Sequence, residues 1–288
     1  MLDVGRWKFS PPFLAMWEVM FWPLVACVIL PPLLVYLGLH VVQRGIIFID
    51  IAMAQMASLG FCVGALYGLE LEDPRNLAIA LGFTVVAAAL FSFTNKSESE
   101  VPQEAVIGIA YVVAAAAAVL VLSRAAHGDE EIKNMLVGNI LLVTKEEIAK
   151  TAGLFAFVVL VHGVWRRQLL RVSFLRAEAH AQGMRVRAWD FLFYALFGLV
   201  VTSFVRIAGV LLIFSYLIVP AVCAVLLART MRIRMLIGCI IALIGGVGGM
   251  IASFYADLPS GAAIVCALGA LLILAAFAAA FLRWKKNA

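Results

Sequence analysis

Charge is scarce in this sequence: Asp, Glu, Lys and Arg make up 14% of 288 residues, while hydrophobic residues make up 65%. A soluble domain carries roughly a quarter charged and half apolar residues, so this balance excludes a water-soluble globular chain and indicates a polytopic membrane protein. No apolar run alternates with period two, which argues against a transmembrane barrel. No GxxxxGK[ST] pattern occurs, and no polar stretch is long enough for a nucleotide-binding fold, so the chain is not expected to be an enzyme or to bind a cofactor of its own. Any ATP is used by another subunit. There is no HExxH and no CxxC. The five cysteines, Cys27, Cys62, Cys223, Cys239 and Cys266, are scattered through apolar runs and read as buried free thiols. The four histidines, His40, His127, His162 and His180, fall near span ends or in loops and read as interfacial rather than as metal ligands.

What the chain does contain is about nine apolar runs near the roughly 20 residues that cross a bilayer as helix. They cover residues 13–39, 46–67, 77–93, 105–122, 151–165, 189–205, 208–227, 235–255 and 262–282. The fold class is all-α polytopic, with eight to nine transmembrane helices. Only Arg206 and Ile207 separate the sixth and seventh runs, so eight crossings with one broken or re-entrant helix is the alternative. The first run is too long for a signal peptide and lacks a cleavage site. Its Pro31-Pro32 removes backbone donors and predicts a kink. Residues 123–150 are too amphipathic to span and are expected to lie on or dip into the membrane surface. Ala114 to Ala118 and the Gly245/Gly249 pair permit close helix approach.

The net charge of +5 comes from short basic clusters between runs. Bases so placed mark cytoplasmic loops rather than a nucleic-acid surface. The richest cluster, Arg166, Arg167, Arg171, Arg176, Arg185 and Arg187, places the loop 166–188 inside. Parity then puts the N-terminal segment 1–12 outside, Arg44 inside, and the acidic loop 70–73 and residues 123–150 outside. Arg229, Arg232, Arg234 and the tail 284–288 fall inside. Residues 13–283 form one transmembrane domain. Within the loop 166–188, residues 175–182 read as a short helix closed by Gly183 as C-cap, suited either to docking a partner or simply to marking orientation.

The polar residues that need a reason are in the second run, IIFIDIAMAQMASLG, residues 46–60. An unsatisfied polar group in hydrocarbon costs several kcal/mol, so such side chains face other helices or a water-filled path. Asp50 lies near the cytoplasmic end, where pairing with Arg44 is the plain structural alternative. Gln55 lies near mid-bilayer, as a pathway residue or as interhelical hydrogen-bonding glue. Five residues apart, the two are about 140° apart around a helix, so one ion cannot take both. Met53 and Met56, whose thioethers suit soft cations, and Ser58 complete the pathway candidates.

Val210 to Ala221, VLLIFSYLIVPA, resembles the GxLLxxxLLxxPAA pattern of ABC metal-ion importer permeases, the membrane subunits of zinc, manganese and iron(II) uptake systems. Residues 102–108 (PQEAVIG), 136–147 (LVGNILLVTKEE), 176–186 around Gly183 and 253–261 (SFYADLPSG) follow in family order, so the resemblance covers about residues 41–282. It implies a type II importer-like permease in a bacterial inner membrane. The permease would be homodimeric, engaging two cytoplasmic ATP-binding subunits and an extracytoplasmic metal-binding protein. It also implies that Arg176, Glu178, His180, Gln182 and Gly183 belong to the helix that contacts the ATPase. The family places Asp and His four residues apart on the second span; this chain has Ile51 and Gln55 there. With both usual ligands absent, Gln55 is the remaining candidate for the metal, and a metal chelate is the alternative substrate. A secondary transporter without an ATPase is the reading from another class, disfavoured because buried acids at mid-span are few.

Overall fold

The structure, a computed structural model, describes residues 12–71, 73–94, 101–123 and 140–287. The segment 1–12 therefore falls almost wholly outside the described residues, as does most of the amphipathic stretch 123–150. The described residues form eleven α-helices and one short 3-10 turn, without strands. In order these are α1 Pro12–Ile29, α2 Pro31–Arg44, α3 Ile49–Leu66, α4 Pro74–Thr94, α5 Gln103–Leu122, α6 Lys145–Val164, α7 Arg166–Phe174, α8 Arg176–Ala181, α9 Val186–Leu227, α10 Met231–Ala256 and α11 Ser260–Asn287. The 3-10 turn is Ile140–Leu142. Among the described residues, nine helical segments are long and apolar enough to span a bilayer.

The first span is two helices because Pro31 and Pro32 cannot donate to the carbonyls of Cys27 and Val28. The helix breaks at Leu30, and α2 restarts with both prolines in its first turn, where no donor is required. It ends in a Schellman cap: Gly45 is left-handed (φ 67°), its N–H bonds to the Val42 carbonyl, and Ile46 N–H reaches Val41.

Contacts between distant residues fix which helix ends lie together. Arg44 bonds to Asp190, Gln103 bonds to the Phe91 carbonyl and the Tyr194 hydroxyl, and the Ile47 N–H bonds to Glu104. These place the ends of α2 and α4, the starts of α3, α5 and α9, and the helices α7 and α8 at one end of the bundle. The opposite end holds the α3–α4 turn, where Asn76 bonds to the Glu70 carbonyl, and the α10–α11 turn, where Ser253 bonds to Leu258.

Helix α9 runs 42 residues, and a straight helix of that length would far exceed one bilayer. It is not straight. Gly209 has φ 76° and ψ 164°, a conformation essentially reserved for glycine. Before it, Asp190 lies against Arg44, and Phe204 lies against Phe155 deep in the bundle. After it, Leu217 meets Gly38 so closely that a Cβ there would collide with the Leu217 carbonyl. Further on, Pro220 and Ala224 pack on Gly238 near the start of α10. The chain thus leaves the Arg44 end and returns to it. Spans six and seven are separate crossings joined without a loop, and the corner is at Gly209, two residues beyond the expected Arg206-Ile207 link.

Three expectations are corrected. The fifth span starts at Lys145, not residue 151: Thr144 and Glu147 form a reciprocal capping box that starts the helix inside the polar stretch assigned to the surface. His40 and His162 are buried rather than interfacial, packed edge-on against Tyr36. The cysteines are free, but Cys239 is only partly buried and Cys266 is exposed on the outer face of α11. His127 is outside the described residues. The small-residue expectations are borne out: a Cβ on Gly245 would strike Leu268 of α11, one on Gly249 would strike the Ile264 backbone, and Ala114 and Ala118 are buried.

Candidate functional site

Helix α3 is regular from Ile49 to Leu66 and packs against α4, α5 and α9. Regularity keeps Asp50 and Gln55 on different sides of the helix, so the structure does not bring them together. Asp50 is 1% exposed in the first turn; one oxygen accepts the Ile51 N–H at 2.8 Å, and the other is buried with no hydrogen-bond partner. The pairing of Asp50 with Arg44 does not form. Arg44 instead turns to Asp190, which Arg176 of α8 also reaches. Met53 is fully buried, with its sulfur against Gly198 of α9, so it fills space in the core. Met56 is partly buried against the same core. Ser58 donates to the Ala54 carbonyl one turn back at 2.9 Å, a bond that occupies its hydroxyl within the helix. Gln55 differs from all of these. It is 8% exposed, and its amide forms no hydrogen bond among the described residues.

The second concentration of polar chemistry is at the Arg44 end. Asp190, with no exposed side-chain surface, accepts from Arg44 Nη1 on one oxygen and from Arg176 Nη2 on the other, both at 2.7 Å. The Arg44 guanidinium also lies 4.0 Å over the Phe193 ring. Its Nε donates to Ser173 Oγ at 2.9 Å, and that hydroxyl is 2.8 Å from His40 Nδ1. One carboxylate therefore ties together α2, α9 and α8, with α7 joined through Ser173. Two charges in low dielectric attract strongly only when well aligned and hydrogen-bonded, and here both carboxylate oxygens are used. The PQE residues act at the same level: Gln103 joins α5 to α4 and α9, and Glu104 takes the Ile47 N–H at 2.7 Å just before α3.

Helix α8 spans Arg176–Ala181, slightly shorter than the expected 175–182. Gly183 has φ 69° and its N–H bonds to His180, which matches the expected left-handed stop. Glu178 and His180 are exposed on this helix, and Gln182 just beyond it accepts from Arg171 at 3.0 Å. At the opposite end of the bundle, Arg75 donates to both oxygens of Asp73 and so holds that carboxyl below its ordinary range.

Residues 16–279 match the ABC 3 transport family. The chain belongs to that family. The match covers the described bundle from α1 to α11, so family membership applies to the whole architecture rather than to one segment. Among its relatives, the manganese transport system membrane protein MntC of Halalkalibacterium halodurans is 25% identical over 241 residues, covering 84% of this chain and 80% of the relative. The manganese import system permease protein ScaB of Streptococcus parasanguinis is 26% identical over 252 residues, covering 87% of each. In solved structures, the fold is similar to a chain of PsaBC from Streptococcus pneumoniae in complex with Fab, with a TM-score of 0.76 and 22% identity over 91% of this chain and 94% of that one. The chain is a multi-pass membrane permease of an ABC transport family.

Sequence reasoning singled out Arg176 but missed His40, Ser173 and Asp190 as a group. One signal was available: Asp190 is the acid that ends the arginine-rich stretch and enters an apolar run. Of the pathway candidates, Gln55 and one oxygen of Asp50 have no hydrogen-bond partner among the described residues, and Gln55 is the more accessible of the two. Among the described residues, no three His, Cys, Asp or Glu side chains cluster as a metal site.

Proposed function

We propose that the chain is the permease subunit of an importer for a divalent metal ion, manganese foremost, with zinc and iron(II) as the neighbouring possibilities. Two copies line the path, and two separate cytoplasmic ATP-binding subunits drive alternating access. An external binding protein delivers the ion. The observation that carries this reading is the family match along the whole bundle, together with relatives named for manganese transport.

Gln55 is the pathway residue on α3. An amide holds a divalent ion weakly, with water or carbonyl oxygens completing the oxygen-rich shell such ions accept, so selection falls largely to the binding protein. Helix α8 is the ATPase contact, carrying Arg176, Glu178 and His180 and stopped at Gly183. Movement of α8 passes to the spans through Asp190, which grips Arg176 and Arg44 together. The Arg44 end is cytoplasmic, which leaves the N-terminus outside and the C-terminus inside. Support comes from the gathering at that end of Arg44, the loop of α7 and α8 and the Arg229 to Arg234 cluster, by the positive-inside rule.

Reconstitution with candidate ATPase and binding-protein subunits, followed by elemental analysis of vesicle contents, tests the reading. Manganese accumulation that requires ATP and both partners is the expected result. Uptake that persists without ATP sinks it in favour of a secondary transporter. Accumulation of a chelated metal but not the free ion moves the substrate to a metal chelate on the same scaffold.

A further inference from the structure

A groove of about 1100 Å³ opens between α2, α6, α7 and the start of α10, at the Arg44 end of the bundle. It is lined by apolar Tyr36, Val159 and Met235 among others, and by the three arginines Arg166, Arg171 and Arg232. Val159 lies five residues before the end of α6 at Val164, so the apolar wall extends about 7 Å along that helix from its end. All three arginines are exposed, and among the described residues none is in an ion pair; Arg171 makes a neutral hydrogen bond to Gln182. On the wall, His162 is 3% exposed, with Nδ1 bonded to the Val158 carbonyl at 2.9 Å and Nε2 buried without a partner. Because a carbonyl only accepts, Nδ1 carries the proton and Nε2 is an acceptor that nothing among the described residues fills.

This arrangement has a chemical complement. It asks for a molecule with one anionic end, a hydrogen-bond donor or bound water near the junction, and an apolar body continuing along the helices. The groove walls run into lipid-length apolar faces: Leu160 is 65% and Leu236 61% exposed on the adjoining turns of α6 and α10. A second copy of the chain offers an arginine-rich surface at this end and so does not supply the missing anion. Basic pockets between transmembrane helices at the headgroup level suit phosphate headgroups.

We propose that this groove binds one anionic phospholipid per chain, its phosphate held by Arg166, Arg171 and Arg232 and its acyl chains laid along Tyr36, Val159 and Met235. The site is independent of which ion the permease moves.

Native mass spectrometry of the purified full-length protein, with phosphatidylglycerol or phosphatidylcholine added to the detergent, reads the site. One phosphatidylglycerol per chain is expected to be retained, with phosphatidylcholine retained roughly tenfold less. Combined Arg166→Gln, Arg171→Gln and Arg232→Gln should lower phosphatidylglycerol retention by roughly tenfold or more, and the corresponding three Lys substitutions should largely keep it. Equal retention of the two lipids, or unchanged retention in the Gln variant, overturns the proposal. Displacement of the lipid by millimolar inorganic phosphate identifies a free-anion site instead and also overturns it. Val159→Cys in a Cys266→Ser background closes the remaining route: oxidative cross-linking between two copies through this position makes the groove a protein interface, while its absence supports lipid.

Discussion

The middle of α3 and the Arg44 end of the bundle handle polar groups in opposite ways. At the Arg44 end, a buried carboxylate, two arginines, a serine and a histidine use one another, so that α2, α7, α8 and α9 are joined by charge-assisted bonds. In mid-α3, the polar side chains are either consumed locally, as Ser58 is, or left without a partner among the described residues, as Gln55 is. Buried networks of the first kind hold elements in fixed relation and are costly to break. A lone amide of the second kind adds little to the fold and is free to meet a passing ion or a second copy. Under the proposed function, the first region would transmit movement and the second would let the ion through.

The comparison is most exposed at Asp190. Asp190→Asn leaves Arg44 buried beside an uncharged amide and is expected to destabilise the protein by about 3–5 kcal/mol, seen as a large fall in the denaturation midpoint in detergent. A midpoint equal to wild type would break the claim that this network holds the end together. Gly209→Ala comes next: forcing a Cβ into φ 76° should cost on the order of 1–3 kcal/mol, read by the same unfolding measurement. Full stability in that variant would mean the corner between spans six and seven relaxes easily. Gln55→Leu is expected to leave the midpoint unchanged while lowering ATP-driven metal uptake about fivefold, equivalent to about 1 kcal/mol. Loss of stability with normal uptake per folded molecule would reverse its assignment and make it glue. Ser58→Ala, whose hydroxyl bonds only within its own helix, should shift stability by less than about 0.5 kcal/mol and leave uptake as it was; a clear uptake defect would extend the pathway one turn beyond Gln55.

Local features were legible because their causes are local. Pro31-Pro32 removes donors wherever it occurs in a helix, Gly183 stops α8 because it takes a left-handed φ without strain, and Gly245 and Gly249 allow close packing whichever helix arrives. The start of α6 was read too late because hydrophobicity alone does not weigh a capping box: Thr144 and Glu147 begin the helix among lysines and glutamates. His40 and His162 were read as interfacial because they sit near span ends; tertiary packing buries them, with α7 folded back beneath His40 and Tyr36 set between the two.

Asp50 and Arg44 show the boundary most clearly. Six residues apart beside a turn, they looked like partners, yet Arg44 bonds to an acid 146 residues away. The sequence by itself determined the approximate spans, the family and the angular separation of Asp50 from Gln55, because each follows from composition, motif order or the fixed pitch of a helix. Only the tertiary structure decided which acid takes Arg44, whether α9 crosses once or twice, and which polar groups on α3 are left without partners among the described residues. Those outcomes depend on several helices converging on one point, and convergence is a property of the packed bundle that no local stretch encodes.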